Sequence, residues 1–447
     1  MPSSLKEIPV SAKCAALWAN HLASEAGFAY IHRVDGSAFL TAWPIRTWRL
    51  PSGTEAWRQT LSELKKAERD LVAGDSASDG AELFTGGLVG AVDYEAGKQT
   101  VAGFHSMAPA SRDLGWVGQY LWGLNLTAAP GRQASLAFHP DCPQTIIDAL
   151  QPLIAGQPPA DAPALTFRIT QPFQPDQTQA QYQQSVRRIL DYILAGDCYQ
   201  VNLSQRLSGR FTGQPFVAFN ALVEAIPVPH AGYVDTGPYQ VLSISPERYL
   251  RIRNGTVESK PIKGTRPRGD SADEDRQQWD NLSASLKDRA ENLMIVDLIR
   301  NDLSRFCKPF SVKVPKLFEI ESYRNVHQLV STVTGELEDG VSLIDTLFSA
   351  FPGGSITGAP KRRAMEIIDE LEPHERGPYC GSVFYISAEG TLESNIAIRT
   401  LMTQADGAVI CWGGGGVVAD SQPEAEYEES LTKVRRLMET LEGIVAG

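Results

Sequence analysis

From residue 182 to residue 442 two periodicities follow one another in an order that no repeating unit explains. Tyr182, Val186, Ile189, Leu190, Ile193 and Leu194 recur at helical spacing, and Gly196 stops the pattern. "CYQVNLSQRLSGRF" (198–211) then alternates as a strand does. "YQVLSISPERYLRIRNGTVES" (239–259) reads as two strands around an Asn254-Gly255 turn. Residues 286–305 form a long helical pattern and 322–334 a further element. "GAPKRRAMEIIDELEP" (358–373) reads as a helix, followed by strands at 380–388, 394–404 and 408–418 and a last helix over 423–442. A parallel doubly wound sheet needs β-α-β units in succession, and none is present. The mixed order predicts an α+β fold.

Upstream, "GTEAWRQTLSELKKAERDLVAG" (53–74) is a helix closing at Gly74, and "FTGGLVGAVDYEAG" (84–97) is a glycine-punctuated strand. The two parts meet at 154–177, where proline recurs among glutamine and alanine and disfavours long regular elements. This divides the chain into 1–153, a linker over 154–177, and 178–442. The net charge of −12 excludes a general grip on nucleic acid, yet a local basic cluster can still take an anionic small molecule. The six cysteines form no C-x-x-C pair and no metal-ligand spacing with histidine, which predicts reduced packing cysteines. No apolar run reaches the ~18 residues that span a bilayer, and the first residues lack a signal-peptide core. The expected location is the cytoplasm, with no membrane partner.

Several stretches could carry chemistry. "KPIKGTRPRG" (260–269) is either a solvated basic loop or an anion site around Lys263. In "AENLMIVDLIRNDL" (290–303) apolar residues surround the helix, which predicts a buried element with Glu291 at its head. Such a carboxylate answers the helix dipole, pairs with Arg289, or holds a cation. In "DSQPEAEYEESLTKVRRL" (420–437) Glu426, Glu429 and Lys433 share one helix face, and Ser421 with Glu424 fits a capping box. Carboxylates from two helices could share a Mg²⁺, which takes few protein oxygens. The glycines of "CWGGGGVVAD" (411–420) suit either a close backbone approach to an anion or a tight bend. "FPGGSITGAPKRRA" (351–364) is a small-residue loop ahead of a helix N-terminus. His327 in "NVHQLVSTV" reads on its own as a packed core residue.

Taken in order, "CYQVNLSQ", "SPER", "PIKGTRPRG", "AENLMIVDLIRNDL", "FPGGSITGAPK" and "GGGGVVADSQPEAEYEE" resemble the chorismate-utilising enzymes. The resemblance is strong over about 178–440 and weak over the first 150 residues. It implies two face-packed β-sheets with helices outside and an active site between the halves. It also implies that Glu291 and Glu429 ligate Mg²⁺ with Glu426 behind them. Tyr379, Arg399 and the Gly414, Gly415 and Gly416 backbone would hold the enolpyruvyl carboxylate. Gly264 and Thr265 would cover the ring, His327 would lie near it, and Thr357 and Lys433 would complete the binding site.

Two positions sort the branches of the family. Gln200 stands where the water-using members place a lysine base, and a neutral amide cannot deprotonate water. Lys263 stands in "PIKGT" where members that aminate C2 carry alanine. The resemblance therefore implies amination of chorismate at C4, giving 4-amino-4-deoxychorismate on the route to p-aminobenzoate and folate. Lys263 would act as covalent nucleophile and Glu247 as general acid, with amination at C2 as the alternative. The sequence has no G-x-C-x-G nucleophile setting with a downstream His-x-Glu, so ammonia would come from a separate glutamine amidotransferase subunit.

Overall fold

A computed structural model describes residues 7–72, 83–104, 112–128, 134–159 and 165–444. The described residues form a twelve-stranded and a ten-stranded sheet. Neighbouring strands in both run antiparallel, as the absence of β-α-β units requires. The sheets face one another across a shared core. Phe39 of the larger sheet stacks on Phe84 at 4.0 Å and meets Tyr385 of the smaller sheet edge-on at 5.1 Å.

Both sheets take strands from either side of residues 154–177. In the larger sheet Ala29–His32 pairs with His230–Asp235, and in the smaller Gly87–Val92 pairs with Ser382–Ser387. Residues 154–177 are not a continuous linker, because Phe167–Pro175 is a strand paired with Gln200–Gly213. Its prolines fit because Pro172 falls at a register irregularity and Pro175 at the end of the pairing.

Three elements that bear on function differ from the pattern-based expectation. The apparent strand 394–404 is two strands, Leu392–Asn395 in the smaller sheet and Thr400–Gln404 in the larger. The helix Leu286–Leu303 is buried on one face only: Ile295, Val296 and Ile299 pack inward, while Leu293 is half exposed. The last helix, Pro423–Glu442, begins as expected, but its cap is Gln422, and Ser421 Oγ instead bonds Glu426 Oε1 at 2.6 Å. The helix Thr54–Val72 is present, and its expected stop at Gly74 lies outside the described residues.

Candidate active site

Glu247 and Arg399 sit where the chain leaves one sheet for the other. Strand Tyr239–Ser245 lies in the larger sheet and Arg248–Arg253 in the smaller, with Glu247 between them. Arg399 closes the return crossing, at a φ of +51° that few non-glycine residues adopt. The two crossings are bonded together. The Ile396 N–H donates to the Glu247 carbonyl (3.0 Å), the Ile244 N–H to the Arg399 carbonyl (3.0 Å), and Ser245 Oγ to the Ile396 carbonyl (2.5 Å). Such an exchange leaves a gap between the sheets, and a cavity of about 840 Å³ fills it.

Lys263 enters the cavity from strand Ile262–Pro267. Pairing of this strand with Val326–Glu336 slips between Ile262 and Thr265, so the residues between them bulge out of the ladder. Gly264 makes the bulge possible: its φ is +82°, and a Cβ there would lie 2.7 Å from Asp288 Cγ. Lys263 keeps partial exposure only through the cavity it faces. Burial lowers its pKa below the ordinary lysine value, Glu291 and Glu247 pull it back up, and Lys433 lowers it further. Lys260, Arg266 and Arg268 do not supply the shift, because each is committed to its own carboxylate, on Glu321, Asp288 and Asp275.

Glu247 is buried, and desolvation pushes its carboxyl up to about 7. Hydrogen bonds from Ser355 and the Ile262 N–H and the charge of Lys263 oppose the rise without cancelling it. A carboxyl that holds its proton near neutrality stands beside an amine that gives its proton up readily. That is the pairing acid catalysis and nucleophilic attack require.

A group of carboxylates lines the wall nearest the C-terminal helix. Glu291, raised by burial, comes from helix Leu286–Leu303, with Lys287 Nζ at 3.9 Å. Glu429 comes from helix Pro423–Glu442. Burial pushes its pKa up, but Lys433, 2.7 Å away, draws it below the usual glutamate value. Glu426 is buried, raised by desolvation, and tied to Ser421. Glycine at 415 leaves the room they use: a Cβ there would lie 3.3 Å from Glu426 Oε2 and Lys433 Nζ and 3.5 Å from Glu429 Oε1.

The glycine run is a regular strand rather than a bend. Ala408–Val417 pairs in register with Gln200–Gly213 throughout. Its second partner, Thr400–Gln404, ends at the Leu401–Cys411 pair, which leaves the outer edge of Trp412, Gly413, Gly414 and Gly416 along the cavity. On that edge Lys433 Nζ takes the Gly414 carbonyl at 2.9 Å. Tyr379 stacks flat on Trp412, with centroids 6.1 Å apart. The Arg399 guanidinium faces the cavity with no carboxylate partner among the described residues, and burial lowers its pKa. An unpaired fork of this kind suits a substrate carboxylate.

The structure thus brings Glu247, Lys263, Gly264, Thr265, Glu291, Tyr379, Arg399, Gly414, Gly416, Glu426, Glu429 and Lys433 to one cavity. Four expected residues stand behind its wall. His327 is buried with both ring nitrogens engaged, Nδ1 with Ser322 Oγ (2.8 Å) and Nε2 with Asp275 (3.0 Å). Thr357 Oγ1 donates to the Gly353 and Gly354 carbonyls. Gln200 packs behind Gly416, whose added Cβ would meet its Nε2 at 2.6 Å, and Gly415 points toward the helix. Sequence reasoning missed Lys287 and Asn202 as lining residues, while Ser355 comes from the small-residue loop 351–364 that it singled out. Asn202 was within reach, since it stands two residues from Gln200 on the same strand.

Residues 35–439 match the family of chorismate binding enzymes, and the chain belongs to it. Among its relatives, aminodeoxychorismate synthase component 1 of Salmonella typhimurium is 43% identical over 365 residues, covering 80% of this chain and 77% of that protein. The Escherichia coli protein of the same name is 43% identical over 364 residues, 80% of this chain and 78% of its own length. Anthranilate synthase component 1 of Thermus thermophilus is 45% identical over a shorter stretch, 62% of this chain and 59% of that one. Among solved structures, anthranilate synthase component I of Streptococcus pneumoniae superposes with a TM-score of 0.73 at 25% identity, covering 98% of this chain and 93% of that one. The menaquinone-specific isochorismate synthase of Escherichia coli gives 0.75 at 20% identity over 98% and 94%, a likeness of fold alone. Among the described residues no helix is long and apolar enough to cross a membrane.

Proposed function

We propose that this enzyme aminates chorismate at C4 to give 4-amino-4-deoxychorismate. The observation that carries the reading is the pairing of Lys263 with Glu247 in a cavity that also holds Arg399, which has no carboxylate partner among the described residues. Direct displacement of the C4 hydroxyl with retention is difficult, and two allylic displacements avoid it. In the first, the neutral Lys263 amine bonds to C2, the ring double bonds shift, and the C4–O bond breaks. The Glu247 carboxyl supplies the proton with which the hydroxide departs as water. Ammonia then bonds to C4, the double bonds shift back, and the C2–N bond returns its electrons to Lys263, restoring the neutral amine. The Glu247 carboxylate removes the extra proton from the new C4 ammonium. Chorismate and ammonia become product and water, and both side chains end as they began.

Glu291 and Glu429, offered to the cavity by two helices with Glu426 behind them, would hold a magnesium ion only together with substrate and water, since among the described residues no three His, Cys, Asp or Glu side chains group closely enough to hold a metal. Mg²⁺ prefers such a site, where substrate and water complete the shell. When bound, the ion would neutralise and orient the ring carboxylate; Lys433 already balances Glu429. Ammonia would come from a separate glutamine amidotransferase subunit, as the "component 1" in the relatives' names suggests.

Incubation with chorismate, Mg²⁺ and ammonium is expected to yield 4-amino-4-deoxychorismate by mass and retention time. Turnover should stop with EDTA and return with Mg²⁺. Anthranilate as the main product would establish C2 amination instead, and glutamine-dependent turnover by this chain alone would exclude the partner. Arg399→Ala should raise KM for chorismate about ten- to a hundredfold, the loss of one charge-assisted carboxylate contact. An unchanged KM would remove Arg399 from the binding site.

A further inference from the structure

We infer that Arg376, which does not face the cavity, is a positioning residue that fixes two of its walls at once and through them the environment of Glu247. The inference rests on the proposed reaction. Arg376 is 1% exposed, in the segment between helix Lys361–Leu371 and Tyr379. Its fork spans three elements. Nη1 donates to the Ile356 carbonyl at 3.0 Å, and Nη2 to the Asn202 carbonyl at 2.7 Å. Nε and Nη2 bond the Glu372 carboxylate at 2.8 and 2.6 Å. Glu372 in turn accepts the backbone N–H and hydroxyl of Ser204, on the same strand as Asn202. The ring of Tyr94 lies under the guanidinium at 4.5 Å, and Glu95 accepts the Arg376 and Gly377 N–H groups.

Both carbonyls belong to residues of the cavity wall. Asn202 lines the cavity from strand Gln200–Gly213, and Ile356 follows Ser355, which lines it together with Glu247 and whose side chain draws the Glu247 pKa down. Strand and loop are tied once more by the Asn202 N–H on the Thr357 carbonyl, 2.8 Å. Stability alone does not demand an arginine here. A buried ion pair contributes little net stability over well-packed apolar residues. A planar fork that fixes the spacing of two backbone carbonyls gives what an apolar core cannot, a set distance between the Asn202 strand and the Ser355 loop. Glu372, Glu95, Tyr94, Tyr379, Cys380 and His374 are the titratable groups facing Arg376 among the described residues. Those facing Glu247 are Lys263 and Cys380.

The test uses R376K, which keeps the charge and loses the fork. If Ser355 drifts from Glu247, the carboxyl loses a donor that favours its charged form. Its titration, followed by difference infrared and assigned with Glu247→Gln, should move upward by about half a pH unit or more. In a Ser355→Ala background the same change should have no further effect. In steady state kcat should fall about tenfold while KM for chorismate moves less than about threefold, the pattern of misplaced catalytic groups. An unmoved Glu247 titration, or equal movement in both backgrounds, overturns the role whatever happens to thermal stability. If R376K does not fold, Glu372→Asp, which withdraws the carboxylate by one methylene, carries the same expectation. The infrared titration needs no turnover, so a wild-type protein without aminated product refutes the reaction and leaves the positioning result separately readable.

Discussion

Lys263→Ala is expected to abolish C4 amination, lowering kcat by about four orders of magnitude or more, as loss of a covalent nucleophile does in other enzymes. The other amines lining the cavity among the described residues, Lys287 and Lys433, each stand beside a carboxylate, Lys287 Nζ 3.9 Å from Glu291. Arg266, the next cation along the strand, is bonded to Asp288, and Lys433 is held by Glu429 and the Gly414 carbonyl. The variant should still bind chorismate, because Arg399 and the carboxylate wall are untouched. Rapid quench of the wild type with chorismate and no ammonia should leave a ring adduct on the peptide containing Lys263, detected by mass spectrometry. Full activity of the variant, together with an unmodified wild-type lysine, would rule out the covalent route. The pH dependence has a definite sign. Attack needs the neutral amine, so the acidic limb rises with pH through the lowered pKa of Lys263.

What the sequence disclosed about this site, and what it hid, follows from how local each cause is. The glycine at 264 and the lysine before it are adjacent in the chain, so a bulge that presents Lys263 leaves a readable trace. Glu426, Glu429 and Lys433 lie on one helix face by periodicity alone. The exchange of sheets at residues 396–399 leaves no such trace. Ile396, Ala397 and Ile398 are apolar residues between two strand-like stretches, and only the pairing of those stretches with different sheets separates them. The cause of the Lys263 shift was hidden for the same reason. Nearby cations were visible in the sequence, whereas the carboxylates that engage them lie between 7 and 61 residues away along the chain. The burial that replaces them as cause comes from the whole fold. The resemblance puts His327 close to the ring; its neighbours Val326 and Gln328 line the cavity, while its own ring is turned to Ser322 and Asp275.

Glu247→Gln should lower kcat about a hundred- to ten-thousandfold, the usual range for removing a general acid, with KM little changed. The amide keeps the shape and the contact with Ser355 but has no acidic proton to give to the leaving hydroxyl. In the wild type the carboxyl must be protonated for the first displacement, so activity should fall as pH rises through about 7. With the acidic limb from Lys263 this makes a bell whose two apparent pKa values belong to the coupled pair. The variant should lose the alkaline limb and keep the acidic one; an alkaline limb that survives would assign the acid role elsewhere. Stability should move the opposite way. A glutamate raised from 4.5 to about 7 holds its proton in the folded state across a window where the unfolded chain has released its own. The unfolded state then binds fewer protons, so this group makes stability fall as pH rises from about 4.5 to about 7. Removing it should leave Tm nearly unchanged at pH 4.5 and raise it at pH 8, by a stability increment on the order of a few kcal/mol. A Tm difference between variant and wild type that does not change with pH would show that the folded protein does not hold that proton. A carboxyl that destabilises the fold at the pH where it would perform acid chemistry is what a site tuned for catalysis rather than stability predicts.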